Sequence, residues 1–175
     1  MLLLVLLSLP FQLFTIGVLL FYLRPGQLLF RQNRAGQEGS SFVLYKWRSL
    51  LPPSAQTNSA TRMLRRLSLD ELPQLINVLK GEMNLVGPRP LLPEYLSQYS
   101  SYQFQRQAVK PGITGLAQVR GRNNLSWRHQ FRYDVFYVKH RSWRLDLWIL
   151  GQTVLKILRP SSGETAQRGA FSQKH

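Results

Sequence analysis

The first 23 residues contain no charged side chain, and this stretch limits the folds that are open to the chain. As an α-helix it would be about 35 Å long, enough to cross a hydrocarbon layer of roughly 30 Å. Soluble domains rarely bury so long and uniform an apolar run. A basic leader and a small-residue cleavage site, which mark secretory signals, are not visible. The sequence therefore predicts a membrane-inserted hydrophobic helix over residues 1–23.

Pro10 lies near the middle of this predicted helix and removes a backbone hydrogen-bond donor there. Ser8 and Gln12 are close enough along the chain to help satisfy the freed backbone groups. Two geometries stay open at this point. The helix either spans the bilayer with a kink, or breaks at Ser8 and Pro10 and returns to the same face as a re-entrant segment.

The rest of the chain is strongly basic and needs anionic partners. The sequence has 23 Lys and Arg against eight acids, a formal net charge of +15. Nucleic acid, anionic lipid headgroups and phosphorylated small molecules are the candidates. Arginines at positions 24, 31 and 34 precede the first acid, so the positive-inside rule places this part in the cytoplasm. Because the chain has no cysteine, disulfides and thiolate metal sites are excluded.

Hydrophobic patterning predicts an α/β domain over residues 24–159 that is mostly helical with a small β element. Short strand-like runs at 28–30 and 42–45 flank a glycine-containing loop. The predicted helices are 68–80, 92–108, 126–140 and 143–158. The last is amphipathic, with tryptophans and basic residues, so it fits either an interfacial helix in a headgroup layer or a surface helix on the core. Residues 51–60 are predicted to form an exposed loop, and 160–175 a disordered tail.

Asp70 and Glu71 are the only acids that are adjacent in the sequence. They open the helix predicted at 68–80, whose apolar residues recur at helical spacing. The residues of this predicted buried face are Leu72, Leu75, Ile76 and Leu79. Ser68-x-x-Glu71 fits a capping box, so the acidic pair has a purely structural explanation. A carboxylate in a first helical turn is also kept ionised, which makes it available as a nucleophile or metal ligand.

Arginines around the acidic pair favour chemistry on phosphate. Arg65 and Arg66 lie within one turn before the pair. Arg89 lies between Pro88 and Pro90, whose rings fix the backbone, so it is preorganised for bidentate phosphate contact. The two carboxylates either pair with these arginines or bind Mg²⁺ that carries a diphosphate.

The segment 68–95, SLDELPQLINVLKGEMNLVGPRPLLPEY, resembles the signature of the bacterial sugar transferases, the monotopic polyprenyl-phosphate phosphoglycosyl transferases. The segment 110–119, KPGITGLAQV, with Gly121-Arg-Asn123 resembles the second block of that family. Phe131-x-x-Asp134-Val-x-Tyr-Val138 and Leu145-Asp-Leu147 resemble its third. Phe30-Arg-Gln-Asn-Arg34 and Tyr45-Lys46 match the region before the acidic pair. The resemblance covers about residues 8–158.

The resemblance implies transfer of a sugar-1-phosphate from a nucleotide diphosphate sugar, typically a UDP-sugar, to polyprenyl phosphate. This is the first step of a lipid-linked glycan such as an exopolysaccharide. Asp70 would be the nucleophile that forms a phosphosugar ester, and Asp70 and Glu71 would bind Mg²⁺. The implied substrate- and phosphate-binding residues are Lys46, Arg65, Arg89 and Asp146. The residues by themselves gave no reason to select Lys46 or Asp146.

The resemblance also implies a location and a set of partners. The catalytic part would lie on the cytoplasmic face of the bacterial inner (plasma) membrane, in contact with membrane lipids. Its substrates would be the nucleotide sugar and polyprenyl phosphate, with no nucleic acid. The alternative is a non-catalytic, membrane-tethered basic module that binds anionic lipid or nucleic acid. The chain begins inside the family's hydrophobic stretch, and a truncated start is one explanation. A third hypothesis for the function is a family member that is inactive because its N-terminus is missing.

Overall fold

The computed structural model describes residues 2–22, 28–49, 59–121 and 125–158. This part is mostly helical with two small two-stranded sheets, which confirms the predicted fold class in outline. The chain divides into two units, one of Met1–Gln32 with Val43–Lys80, the other of Asn33–Phe42 with Gly81–His175. The predicted tail and most of the predicted loop at 51–60 lie outside the described residues.

The helices and strands confirm some predictions and correct others. In chain order they are α1 (Leu2–Tyr22), β1 (Leu29–Ala35), β2 (Ser41–Trp47), α2 (Ser59–Arg66), α3 (Gln74–Leu79), β3 (Asn84–Val86), α4 (Ser101–Phe104), β4 (Gly112–Thr114), α5 (Leu116–Gly121), α6 (Trp127–His140) and α7 (Trp143–Leu158). Both predicted strands and the last two predicted helices are confirmed. The single helix predicted at 92–108 is wrong, because 3-10 turns at Pro93–Gln98 and Gln105–Ala108 flank the short α4.

α1 remains helical on both sides of Pro10, so the predicted break does not end the helix. The Gln12 side-chain amide donates to the Ser8 hydroxyl at 2.8 Å, and the Thr15 hydroxyl donates to the Phe11 carbonyl at 2.7 Å. Ser8 and Thr15 are buried, whereas the large apolar side chains at 7, 9, 11, 13 and 14 are exposed. None of the described helices combines the length with the mean hydropathy that a membrane crossing requires.

The end of α2 corrects the predicted capping box. Ser68 has a left-handed backbone (φ 56°) and makes no side-chain capping bond, whereas an N-cap residue needs an extended backbone. Its N–H donates to the Arg65 carbonyl at 3.1 Å, so Ser68 closes α2 instead of opening the next helix. In the same unit, Leu64 of α2 is fully buried beside Leu28 and Trp47.

The buried face of α3 also differs from the prediction. Leu75 is buried, but Ile76 and Leu79 are 43% and 47% exposed. The inward positions of the helix include two amides, Gln74 and Asn77. The fully buried Asn77 makes two hydrogen bonds to β2, and these bonds set the rotation of the helix. The spacing of apolar residues gives no sign of them.

The second unit is organised around a close backbone contact between two loops. β3 and β4 pair in parallel, with Asn84 opposite Gly112 and Val86 opposite Thr114. A Cβ on Gly112 would overlap the Gly87 backbone nitrogen, and a Cβ on Gly115 would overlap the Gly87 carbonyl. The adjoining buried core consists of Val86, Val109, Leu116, Val119, Tyr137 and Ile149. The glycines of the two loops are therefore required by the pairing.

We predict opposite effects on stability for two glycine substitutions in this unit. Gly112→Ala is expected to lower the free energy of unfolding by about 2 kcal/mol or more, because the added Cβ forces β3 and β4 apart. Gly151 lies inside α7 with open space around it. Gly151→Ala is expected to raise the same free energy by about 0.5–1 kcal/mol. Chemical unfolding measures both, and a Gly112→Ala variant as stable as wild type would contradict this account.

Candidate active site

A tight 3-10 turn, Leu69–Glu71, carries both members of the acidic pair. The Glu71 N–H donates to the Ser68 carbonyl at 3.2 Å, and the Leu72 N–H donates to the Leu69 carbonyl at 3.3 Å. The buried Pro73 follows and is the N-cap residue of α3. Asp70 and Glu71 thus lie on a turn between two helices, and not in the first turn of an α-helix as predicted.

Lys46 forms an ion pair with Glu71. Its Nζ donates to Glu71 Oε1 at 2.7 Å, and the two side chains are 18% and 16% exposed. Lys46 lies near the end of β2, on the same strand face as the buried Leu44. A short charge-assisted hydrogen bond at this depth fixes the orientation of the Glu71 carboxylate. The structure therefore places Lys46 directly against the acidic pair.

Ser49, just past the end of β2, contacts the other acid. Its hydroxyl donates to Asp70 Oδ2 at 3.1 Å. Both acids thus reach residues at the same end of one strand, although their side chains would diverge on an α-helix. Ser49 is a site residue that the sequence did not predict. The available signal was a small polar residue next to a predicted strand, and that signal is too common to select one residue.

The electrostatic environment of Asp70 differs from the one expected at a helix start. Burial raises the pKa of Asp70 above its usual value, and the adjacent Glu71 carboxylate raises it further. The Lys46 charge and the Ser49 hydroxyl act in the opposite direction, without reversing the shift. The predicted stabilisation of the ionised form by a helical first turn is therefore wrong, because the turn is neither α-helical nor well exposed to solvent.

Arg65 and Arg89 occupy different units. Arg65 is exposed on the last turn of α2, in the unit that contains the acidic pair. Arg89 lies in the second unit between two buried prolines. Its carbonyl accepts a 2.6 Å hydrogen bond from Arg106, whose guanidinium forms a fully buried ion pair with Asp134 at 2.8 Å. The backbone at Arg89 is therefore held by this ion pair in addition to the predicted proline rings.

Asp146 also lies in the second unit, in the first turn of α7. The Tyr137 hydroxyl donates to Asp146 Oδ1 at 2.8 Å. Burial raises the pKa of Tyr137, and the hydrogen bond to Asp146 and the charge of that residue raise it further. The phenol therefore stays protonated and acts as a donor. Asp146 lines a cavity of about 210 Å³ together with Asn84, Arg141 and other residues of this unit.

The acidic pair has a donor set that suits Mg²⁺ bound together with a substrate. Mg²⁺ prefers oxygen ligands and often uses one or two carboxylates, with phosphates and water completing the shell. Asp70 and Glu71 supply two such carboxylates. Among the residues that the structure describes, no group of three or more His, Cys, Asp or Glu gathers into a metal site. Two carboxylates would leave most of the Mg²⁺ coordination shell open to phosphate and water.

Comparison with known proteins identifies the family. Residues 1–160 match the family described as bacterial sugar transferase. The chain belongs to this family. Over 157 residues this sugar transferase is 49% identical to the uncharacterized sugar transferase EpsL of Bacillus subtilis (strain 168), covering 83% of this chain and 77% of EpsL. The membership confirms the family resemblance and makes the chain an enzyme.

Two further relatives carry more specific names. The undecaprenyl-phosphate galactose phosphotransferase of Salmonella typhimurium (strain LT2) is 34% identical over 161 residues. The UDP-glucose:undecaprenyl-phosphate glucose-1-phosphate transferase of Xanthomonas campestris pv. campestris is 37% identical over 155 residues. Each alignment covers 77% of this sugar transferase but only 34% and 32% of the respective relative. The chain thus spans about a third of these two longer proteins.

We predict that the titration of Asp70 responds in opposite directions to its two neighbours. In EDTA, wild-type Asp70 should titrate above the usual aspartate value of 3.8, so it stays protonated over a wider acid range. Lys46→Met should raise this pKa further, because it removes a positive charge, and Glu71→Gln should lower it. Carbon-detected NMR of the side-chain carboxyl measures all three. A wild-type value at or below 3.8, or shifts of the same sign in both variants, would contradict the assigned electrostatics.

Proposed function

We propose that this sugar transferase moves a sugar-1-phosphate from a nucleotide diphosphate sugar, typically a UDP-sugar, to polyprenyl phosphate, with Asp70 as nucleophile. One observation carries the proposal. Asp70 is held beside Glu71 on a partly buried turn, with Ser49 on one carboxylate and Lys46 on the other. The names of the Salmonella and Xanthomonas relatives support the same reaction class.

In the first step, a carboxylate oxygen of Asp70 attacks the phosphorus atom that bears the sugar. The bond from this phosphorus to the oxygen bridging the two phosphates breaks, and the nucleoside monophosphate leaves with the bonding electrons. A phosphosugar ester of Asp70 remains. The raised pKa of Asp70 supports this role, because a more basic carboxylate is a stronger nucleophile once it is ionised.

In the second step, a phosphate oxygen of polyprenyl phosphate attacks the same phosphorus atom. The bond to Asp70 breaks, the carboxylate is regenerated, and the product is a polyprenyl diphosphate sugar. Each step forms one P–O bond and breaks one, so no further reactant is needed. Because the nucleoside monophosphate forms before the acceptor reacts, we expect ping-pong kinetics.

Positive charge must offset the charge of the diphosphate during both steps. Mg²⁺ held by Asp70 and Glu71 would supply part of it, and Lys46 orients Glu71 for this task. Arg65 and Arg89 are proposed to bind phosphate, and Asp146 to bind substrate, on the family resemblance. Asp146 is an acceptor and suits a hydroxyl or amide group better than a phosphate.

We further propose that the first unit docks on the cytoplasmic face of the plasma membrane, where polyprenyl phosphate resides. The large apolar side chains of α1 at positions 7, 9, 11, 13 and 14 are 44–67% exposed, more apolar surface than water favours. α1 contacts α2 and the turn Leu69–Glu71. Insertion of α1 in lipid would therefore bring the turn with Asp70 to the bilayer surface. The exposed Trp143, Leu147 and Leu158 of α7 suit an interfacial helix.

We predict that release of UMP depends on Asp70. Wild-type protein in bilayer discs would be mixed with Mg²⁺, undecaprenyl phosphate and UDP-glucose, UDP-galactose or UDP-N-acetylgalactosamine. At least one donor should yield UMP. Asp70→Asn is expected to slow its release by at least about a thousandfold, because it removes the nucleophile. EDTA should also stop the reaction.

The matched control for this assay is Glu94→Gln, which removes one exposed carboxylate outside the proposed site. It should release UMP at nearly the wild-type rate. An Asp70→Asn variant as fast as wild type, or no UMP from any donor tested, would overturn the proposed function.

A further inference from the structure

Asn77 connects α3 to β2 within the first unit. Its side chain is fully buried, with 0% exposure. The side-chain Nδ2 donates to the Val43 carbonyl at 2.7 Å, and the Oδ1 accepts the Tyr45 N–H at 3.2 Å. One amide group therefore holds two backbone groups of the strand, two residues apart.

This pattern imitates a missing third strand. In a parallel β-bridge, one residue's backbone donates to the carbonyl before the opposite residue and accepts from the N–H after it. Asn77 does both around Leu44, which is itself buried. The other edge of β2 faces β1, as shown by the Arg48 N–H, which donates to the Leu28 carbonyl at 2.7 Å. Asn77 thus occupies the edge of β2 that β1 leaves open.

The position of Asn77 bears directly on Lys46. Side chains alternate along a strand, so Leu44 and Lys46 project from the same face of β2. Fixing the peptide groups on either side of Leu44 fixes the direction in which the Lys46 side chain leaves the strand. Lys46 then reaches Glu71 at 2.7 Å. Asn77 and Glu71 are six residues apart, so one short segment carries both the residue that holds β2 and the carboxylate that pairs with Lys46.

We propose that Asn77 is a positioning residue of the transferase, which clamps β2 against α3 so that Lys46 meets Glu71 in the active site. Asn77 does not touch substrate in this assignment and acts only through Lys46. The catalytic consequence rests on the proposed function, whereas the clamp itself rests on the hydrogen bonds alone. Two experiments separate the two parts.

The first experiment measures amide hydrogen exchange and needs no activity. Asn77→Leu keeps the branched shape of the side chain but removes both hydrogen bonds, so Tyr45 N–H exchange should accelerate by about tenfold or more. The Arg48 N–H, bonded to Leu28, should keep its protection. Leu75→Ala is the control, because it removes a buried side chain of α3 and leaves the clamp intact. Unchanged Tyr45 exchange in Asn77→Leu, or equal acceleration in Leu75→Ala, would overturn the clamp.

The second experiment is a double-mutant cycle on the first step, read as the burst of UMP without acceptor. Asn77→Leu and Lys46→Met are each expected to slow the burst by about tenfold or more, and the double variant should be no slower than Lys46→Met alone. The effects of Leu75→Ala and Lys46→Met on the burst rate should multiply, as expected for two residues that act independently.

Multiplicative effects of Asn77→Leu and Lys46→Met, or a wild-type burst in Asn77→Leu, would overturn the positioning role. If wild-type protein gives no burst with any donor, the proposed function fails. The exchange measurement then still decides the clamp.

Discussion

Lys46 serves two carboxylates, and the properties of the acidic pair depend on that shared charge. It pairs directly with Glu71 at 2.7 Å, and its charge also lowers the pKa of Asp70. Burial and the Glu71 carboxylate act more strongly in the opposite direction, so the pKa of Asp70 ends above its usual value. Asp70 is thus less well stabilised as an anion than a solvated aspartate. A bound cation or the formation of an ester would each relieve this unfavourable charge, which matches the two events proposed for the site.

In the second unit, a buried ion pair between Arg106 and Asp134 holds the backbone of the loop that carries Arg89. Arg106 and Asp134 are each 1% exposed, and the same guanidinium donates to the Arg89 carbonyl. Removing one partner would leave an uncompensated buried charge, so the pair specifies one local arrangement of the Gly-Pro-Arg-Pro loop. The sequence shows the prolines of this loop. It does not show the hydrogen bond from Arg106 to Arg89, because these residues are 17 positions apart.

The sequence predicted features that depend on local pattern and failed where tertiary contacts decide. The strand β2 and the helices α6 and α7 lie close to their predicted limits, whereas β1 runs five residues past its predicted end at residue 30. The capping box failed because Ser-x-x-Glu is compatible with two backbone paths, and Ser68 closes α2 instead. Lys46 was indicated only by family resemblance, since a lone lysine in a strand usually faces solvent. Ser49 and Asn77 were missed because side-chain hydrogen bonds between distant segments leave no periodic signal.

Mass spectrometry can detect the proposed covalent phosphosugar on Asp70 directly. The sugar transferase would be incubated with Mg²⁺ and a UDP-sugar that supports turnover, without polyprenyl phosphate, then quenched and digested. One added sugar-phosphate is expected on the peptide that contains Asp70. This adduct should disappear when undecaprenyl phosphate is added, and it should be absent in Asp70→Asn. An adduct on another residue, or rapid turnover with acceptor while no adduct forms without it, would contradict the account.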